Sequence, residues 1–70
     1  MAKAVIHNRI RQLRFKTGEM TQQELADSID ITRQAVIALE KGNYYPSLEL
    51  AFRIARRFGV PLEEVFQFEG

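Results

Sequence analysis

The stretch TQQELADSIDITRQAVIALEKG, residues 21–42, decides how the rest of the chain is read. Thr21 can cap a helix, and Glu24, three residues on, completes a capping box. Leu25, Ala26 and Ile29 share one face of that helix, which runs for about two turns. The segment SIDI, 28–31, turns the chain. Thr32 then caps a second helix that Gly42 ends. On this helix Val36 and Leu39 point one way, with Glu40 one step out. Arg33, Gln34, Ile37, Ala38 and Lys41 point the other way. A solvated face normally carries Glu and Lys pairs. A face mixing a guanidinium, an amide, an isoleucine and a lysine predicts a neighbour other than water.

Two short capped helices joined by a tight turn are the layout of a helix-turn-helix. Its second helix enters the DNA major groove with N-terminal residues at base edges. The residue types fit that use. Arg33 can donate twice to guanine, and Gln34 can pair with adenine. Ile37 and Ala38, one turn on, can meet thymine methyl groups. Lys41 is spaced for a phosphate. Gln22 stands at a helix N-terminus, where backbone N–H groups and the dipole favour a phosphate oxygen.

Outward from this unit the chain reads as short helices. Asn8 is expected to cap a helix with Ile10, Leu13 and Arg14 inward, stopped at Gly18. Residues NYYPS form a loop in which Pro46 pushes Tyr45 toward extended geometry. Ser47 caps a further helix with the apolar stripe Leu48, Ala51, Ile54, Ala55 and Phe58, ended by Gly59. Arg56 and Arg57 sit at the negative end of its dipole. Pro61 opens a last short helix, PLEEVF, whose Glu63 and Glu64 are the acids expected at a helix start. Two β-favouring pieces remain, AVIH at 4–7 and FQFE at 66–69. They are expected to pair as a two-stranded ladder tying the termini together; the alternative is frayed ends.

The 70 residues bound the chain to one domain, read as spanning 1–70. Such a domain holds a core worth only ~3–5 kcal/mol net, so association is expected as a further source of stability. Apolar residues make up 46% of the chain, too many for a disordered polymer. Cysteine is absent and there is one histidine, which excludes disulfides and the usual zinc sites. No apolar run is long enough to span a membrane, and no leader segment is evident, so a cytoplasmic protein is expected. No catalytic triad, phosphate loop or metal spacing is present; neither an enzyme nor a cofactor is predicted. Net charge is only +1, but it is uneven. Lys3, Arg9, Arg11, Arg14 and Lys16 stand against Glu19 in residues 1–20, whereas residues 58–70 carry Glu63, Glu64 and Glu69 and no base. A polyanion would meet the basic end.

The motifs T-Q-x-E-L-A, T-R-Q, L-E-K-G, P-S-L-E-L-A and P-L-E-E-V-F together resemble the Cro/C1-type (XRE) transcriptional regulators. The likeness is to their compact subgroup and covers about residues 8–69. It implies an all-α, five-helix, lambda-repressor-like domain, a terminal strand pair, and a symmetric dimer on a palindromic operator in double-stranded DNA. By position it implies a phosphate contact from Gln22 and base reading by Arg33, Gln34 and Ile37 or Ala38. It also implies an ion pair between Arg14 of the first helix and Glu40; both lie on inward faces, where an unpaired charge is costly.

Three departures bear on that likeness. The connection TGEMT is one residue longer than the usual KGLT, which would shift the first helix against the second. In NYYPS, Asn43 and Tyr45 replace a cation and a small amide. Asn43 remains a candidate phosphate donor. Tyr44 either lies on the sugar–phosphate backbone or plugs the core. Phe15 stands where a charge is usual, and is read as cover for the strand pair or as part of an interface. Arg9 and Arg11 read as solvated surface.

Leu62, Val65, Phe66 and Phe68 give the C-terminal end more apolar area than one short helix buries, and form the predicted dimer interface. The function expected is sequence-specific DNA binding by a homodimeric repressor. The rival is an antitoxin-like or adaptor module that keeps the helix-turn-helix fold to hold another protein.

Overall fold

The computed structural model describes residues 5–70. Along the chain lie β1 (Val5–Asn8), α1 (Ile10–Lys16), α2 (Gln22–Ile29), α3 (Arg33–Lys41), α4 (Leu48–Phe58), α5 (Leu62–Val65) and β2 (Phe66–Glu69). The strands pair antiparallel, with Val5 opposite Glu69, Ile6 opposite Phe68, His7 opposite Gln67 and Asn8 opposite Phe66. The five helices and the ladder are those read from the sequence. Ala4, assigned to the first strand, lies outside the described residues.

Local chemistry sets most of the boundaries. The Thr21 hydroxyl accepts from the Glu24 N–H at 3.0 Å, and the Glu24 carboxylate accepts from the Thr21 N–H at 2.9 Å, closing the predicted capping box. Thr32 and Ser47 accept from the N–H groups of Ala35 and Leu50, each at 3.1 Å. α3 ends where Gly42 turns left-handed at φ 76°, a conformation that costs a side-chain-bearing residue energy. Asp30 ends α2 in the same conformation at φ 61°, tolerated because its short side chain is among the few that accept it.

Two boundaries differ from expectation. Asn8 is held in the ladder opposite Phe66, so its backbone stays extended and Arg9 becomes the residue before the helix. The Asn8 side chain still accepts the Ile10 N–H at 3.2 Å and also donates to the Leu39 carbonyl at 2.8 Å. It therefore ties the start of α1 to the end of α3. Pro61 lies before α5 with extended backbone, and Phe66 already belongs to β2.

The core is Ile10, Met20, Leu25, Ala26, Ile29, Val36, Leu39, Ile54, Ala55 and Val65. Every helix contributes an inward face to it. Leu48 is a correction: it is 69% exposed. The buried stripe of α4 centres on Ala51, Ile54 and Ala55, and helical periodicity puts Leu48 at its margin beside Phe52, itself half exposed. Val65 is another correction. It is fully buried within its own protomer and has no surface to offer a second copy. Leu62 and Phe66 are partly covered by the same core, while Phe68 is 71% exposed. Tyr44 does not plug the core; it is among the exposed aromatic residues.

Candidate nucleic-acid interface

α3 is anchored by Val36 and Leu39, which are 0% and 2% exposed. With those positions fixed inward, the 3.6-residue period turns the opposite side outward. Arg33, Gln34 and Lys41 are exposed, and Ile37 and Ala38 are partly covered. Arg33, Ile37 and Lys41 recur every four residues and so form one row; Gln34 and Ala38 form the next. The residues predicted to read bases thus share a continuous surface of one rigid helix.

Glu40 is the one acid on α3; it borders that surface, but its carboxylate is tied to Arg14. The Arg14 Nε donates to Glu40 Oε2 at 2.6 Å, and Nη2 donates to Oε1 at 3.1 Å. A third Arg14 bond runs from Nη1 to the Met20 carbonyl at 2.8 Å. Gln22 Nε2 also donates to Glu40 Oε1, at 3.2 Å. The Arg14 and Glu40 side chains are only 8% and 10% exposed. The fork geometry and the extra donors satisfy a carboxylate whose burial would otherwise be costly. The same pairing neutralises the one negative charge that α3 places beside its exposed cations.

The longer first connection does not shift α1 out of reach of Glu40. Gly18 and Glu19 both take positive φ, 63° and 54°. Two consecutive left-handed residues fold the extra length into a tight reversal, and the Met20 N–H returns to the Arg14 carbonyl at 2.9 Å. The chain re-enters α2 with Arg14 already facing Glu40.

A concavity of about 780 Å³ opens between α1, the start of α2 and α3. It gathers Gln22, Arg33, Ile37 and Lys41 around the Arg14–Glu40 pair. Gln34 and Ala38 do not line it; they belong to the adjacent row of α3. Asn43 and Tyr44 follow Gly42 and are exposed. The Asn43 N–H donates to the Ala38 carbonyl at 3.0 Å, which fixes its backbone at the end of α3. The link from Gln22 to Glu40 was missed in the sequence, because positions 18 residues apart in different helices carry no local pattern that pairs them. Phe15 lies on the rim of this concavity with Arg11.

Residues 10–65 match the family model HTH_3, described as helix-turn-helix. The chain belongs to this Cro/C1-type helix-turn-helix family. Its relatives include an uncharacterized HTH-type transcriptional regulator of Archaeoglobus fulgidus, 47% identical over 91% of this chain and 90% of its own length. The Cryptic phage CTXphi transcriptional repressor RstR of Vibrio cholerae is 34% identical over 83% of this chain and 51% of the repressor. A crystal structure of a candidate DNA-binding protein from Bacteroides fragilis has the same fold, with a TM-score of 0.77 at 17% identity over 90% of this chain and all of that one. This is therefore an HTH-family, DNA-binding transcriptional regulator. Among the described residues, no helix is long and apolar enough to cross a membrane.

Proposed function

We propose that the protein is a cytoplasmic, sequence-specific repressor that acts as a homodimer and performs no chemical step. The 1–70 chain is one DNA-binding domain, and α3 lies in the major groove. One observation carries this reading: α3 buries Val36 and Leu39 and presents Arg33, Gln34, Ile37, Ala38 and Lys41 on a surface whose own carboxylate, Glu40, is neutralised by Arg14. Arg33 and Gln34 read base edges, and Ile37 and Ala38 meet thymine methyls. Gln22, Lys41, Asn43 and Tyr44 contact phosphates and set the register. The name of RstR supports repression as the outcome.

Dimerisation uses Phe68 with the partly covered Leu62 and Phe66. Two protomers related by a two-fold axis would read half-sites one helical turn, ~34 Å, apart. In vitro selection from a random duplex pool tests all of this together. The expected product is a palindromic consensus with that spacing; a pool with no enriched sequence overturns the reading. A second reading, an adaptor that holds another protein, is favoured by the exposure of Leu48, Phe52 and Phe68. Recovery of a stoichiometric protein partner together with failure to enrich DNA would select it.

A further inference from the structure

Phe15 and Arg11 have no part in the reading above, yet they stand at the edge of the same surface. Phe15 is on the last turn of α1 and is 52% exposed. Two guanidinium groups flank its ring, with Cζ of Arg11 5.5 Å and Cζ of Arg14 5.4 Å from the centroid. Arg14 is fixed by its bonds to Glu40 and to the Met20 carbonyl. The ring thus rests against a cation held by three hydrogen bonds and offers its quadrupole to a second one, Arg11, one turn earlier on α1. Among the described residues no carboxylate lies within salt-bridge distance of Arg11.

The charge around the concavity selects the partner. Arg11, Arg14, Arg33 and Lys41 line it against Glu19 and Glu40. Arg14 and Glu40 neutralise one another, which leaves three cations facing one exposed acid. That balance fits a polyanion. An exposed ring next to a stationed guanidinium fits a polymer that alternates apolar sugar with anionic phosphate.

We propose that Arg11 and Phe15 form an additional contact to the DNA backbone, outside the helix-turn-helix itself. Arg11 donates to a phosphate, and the Phe15 ring packs on the adjoining deoxyribose. The proposal rests on the reading of α3 as the groove-facing helix. The occupant is the strand that flanks the bases read by α3, because Arg33 and Lys41 line the same concavity as this pair.

The test uses the full chain, the duplex selected by the unaltered protein, and an unrelated duplex, each titrated over a range of salt concentrations. Arg11→Gln is expected to weaken both duplexes alike, by roughly eightfold near 0.1 M salt, and to lower the salt slope by about one. Phe15→Leu keeps an apolar group but not the ring face, so it should also flatten the slope by releasing Arg11. Arg11→Gln combined with Phe15→Leu should cost less than the product of the two. Arg11 is exposed, so its melting temperature should match that of the unaltered chain, and loss of fold cannot imitate the result.

An unchanged slope for Arg11→Gln overturns the proposal. So does a double variant whose effects simply multiply. Variants that keep full DNA affinity but lose binding to an acidic, apolar peptide would assign the pair to a protein partner instead, and also overturn it. In all three cases a consensus retained by the unaltered protein leaves the role of α3 standing. A chain that enriches no DNA at all removes both.

Discussion

α3 and α4 are built by the same local rules and finish with opposite surfaces. Each starts at a hydroxyl cap, Thr32 or Ser47, and ends at a left-handed glycine, Gly42 or Gly59. Each buries a stripe of small and branched apolar residues. On α4, Glu49 stands in the first turn and pairs with Arg53 at 2.6 Å across one turn of exposed helix. α2 and α5 likewise begin with acids, Glu24 and then Glu63 and Glu64. The first turn of α3 has none, and its sole carboxylate is folded back onto Arg14. α2, α4 and α5 thus meet their helix dipoles with their own acids. α3 leaves that positive end, and three polar side chains capable of donating, to be met from outside.

The largest test of this contrast compares the two ion pairs. Arg14→Ala strands a carboxylate that is only 10% exposed, and should cost about 3–5 kcal/mol. That equals the whole stability expected of so small a domain, so denaturant titration should find the chain largely unfolded. Arg14→Met with Glu40→Leu should restore folding, because it removes both charges. Arg53→Ala opens a surface pair whose members are 52% and 73% exposed; it should cost no more than about 0.5 kcal/mol. Equal losses at the two sites would mean that the Arg14–Glu40 pair is no more buried in solution than its counterpart on α4.

Next in size is specificity. Gln34→Ala should lose roughly 1–3 kcal/mol at one operator position and little elsewhere, as measured by competition among single-base variants of the selected site. Arg56→Ala, an exposed change on α4, should leave the base profile unaltered. A Gln34 variant that weakens every sequence equally would remove that residue from base reading. The caps come third. Thr32→Ala and Ser47→Ala should each cost about 1 kcal/mol in thermal or chemical unfolding. Only the Thr32 change should also slow or weaken operator binding, because it frays the turn that carries Arg33 and Gln34.

What was legible in the sequence follows the range of each interaction. Caps, left-handed glycines and apolar periods act within a turn or two, and Thr21, Glu24, Thr32, Gly42, Ser47 and Gly59 marked their helices correctly. The candidate face of α3 was legible for the same reason, since burying Val36 and Leu39 fixes where Arg33 and Gln34 point. The resemblance supplied the Arg14–Glu40 pair, which local pattern alone does not specify. Three things needed the third dimension. Asn8 caps α1 from one residue further back, because the ladder with Phe66 holds its backbone extended. Val65 looked like spare apolar surface in a short amphipathic segment, yet packing with helices remote in sequence buries it. Leu48 looked like core at the start of a stripe, and only the position of α4 against its neighbours shows it at the margin.

The smallest expected effect concerns the starts of α2 and α3. The Glu24 carboxyl titrates below its ordinary value of 4.5, first because it accepts the Thr21 backbone N–H and next because of the Thr21 hydroxyl, with Arg57 adding attraction. A carboxyl held low in the folded state binds fewer protons there than in the unfolded chain. Its contribution is therefore present above pH 4.5 and lost as pH falls through the lower folded value. Glu24→Gln keeps a side-chain acceptor for the Thr21 N–H but cannot titrate. Unfolding curves from neutral pH to pH 3 should therefore fall less steeply with acid for Glu24→Gln than for the unaltered chain. Ala35→Glu would install the missing acid at the equivalent position of α3, three residues after Thr32, and create the same box there. It should steepen the acid dependence while weakening operator binding, since the added carboxylate would stand beside Arg33 and Gln34 and repel phosphate. If Ala35→Glu bound DNA as tightly as the unaltered chain, the absence of acid from the first turn of α3 would have no bearing on recognition, and the contrast with α2 would reduce to composition.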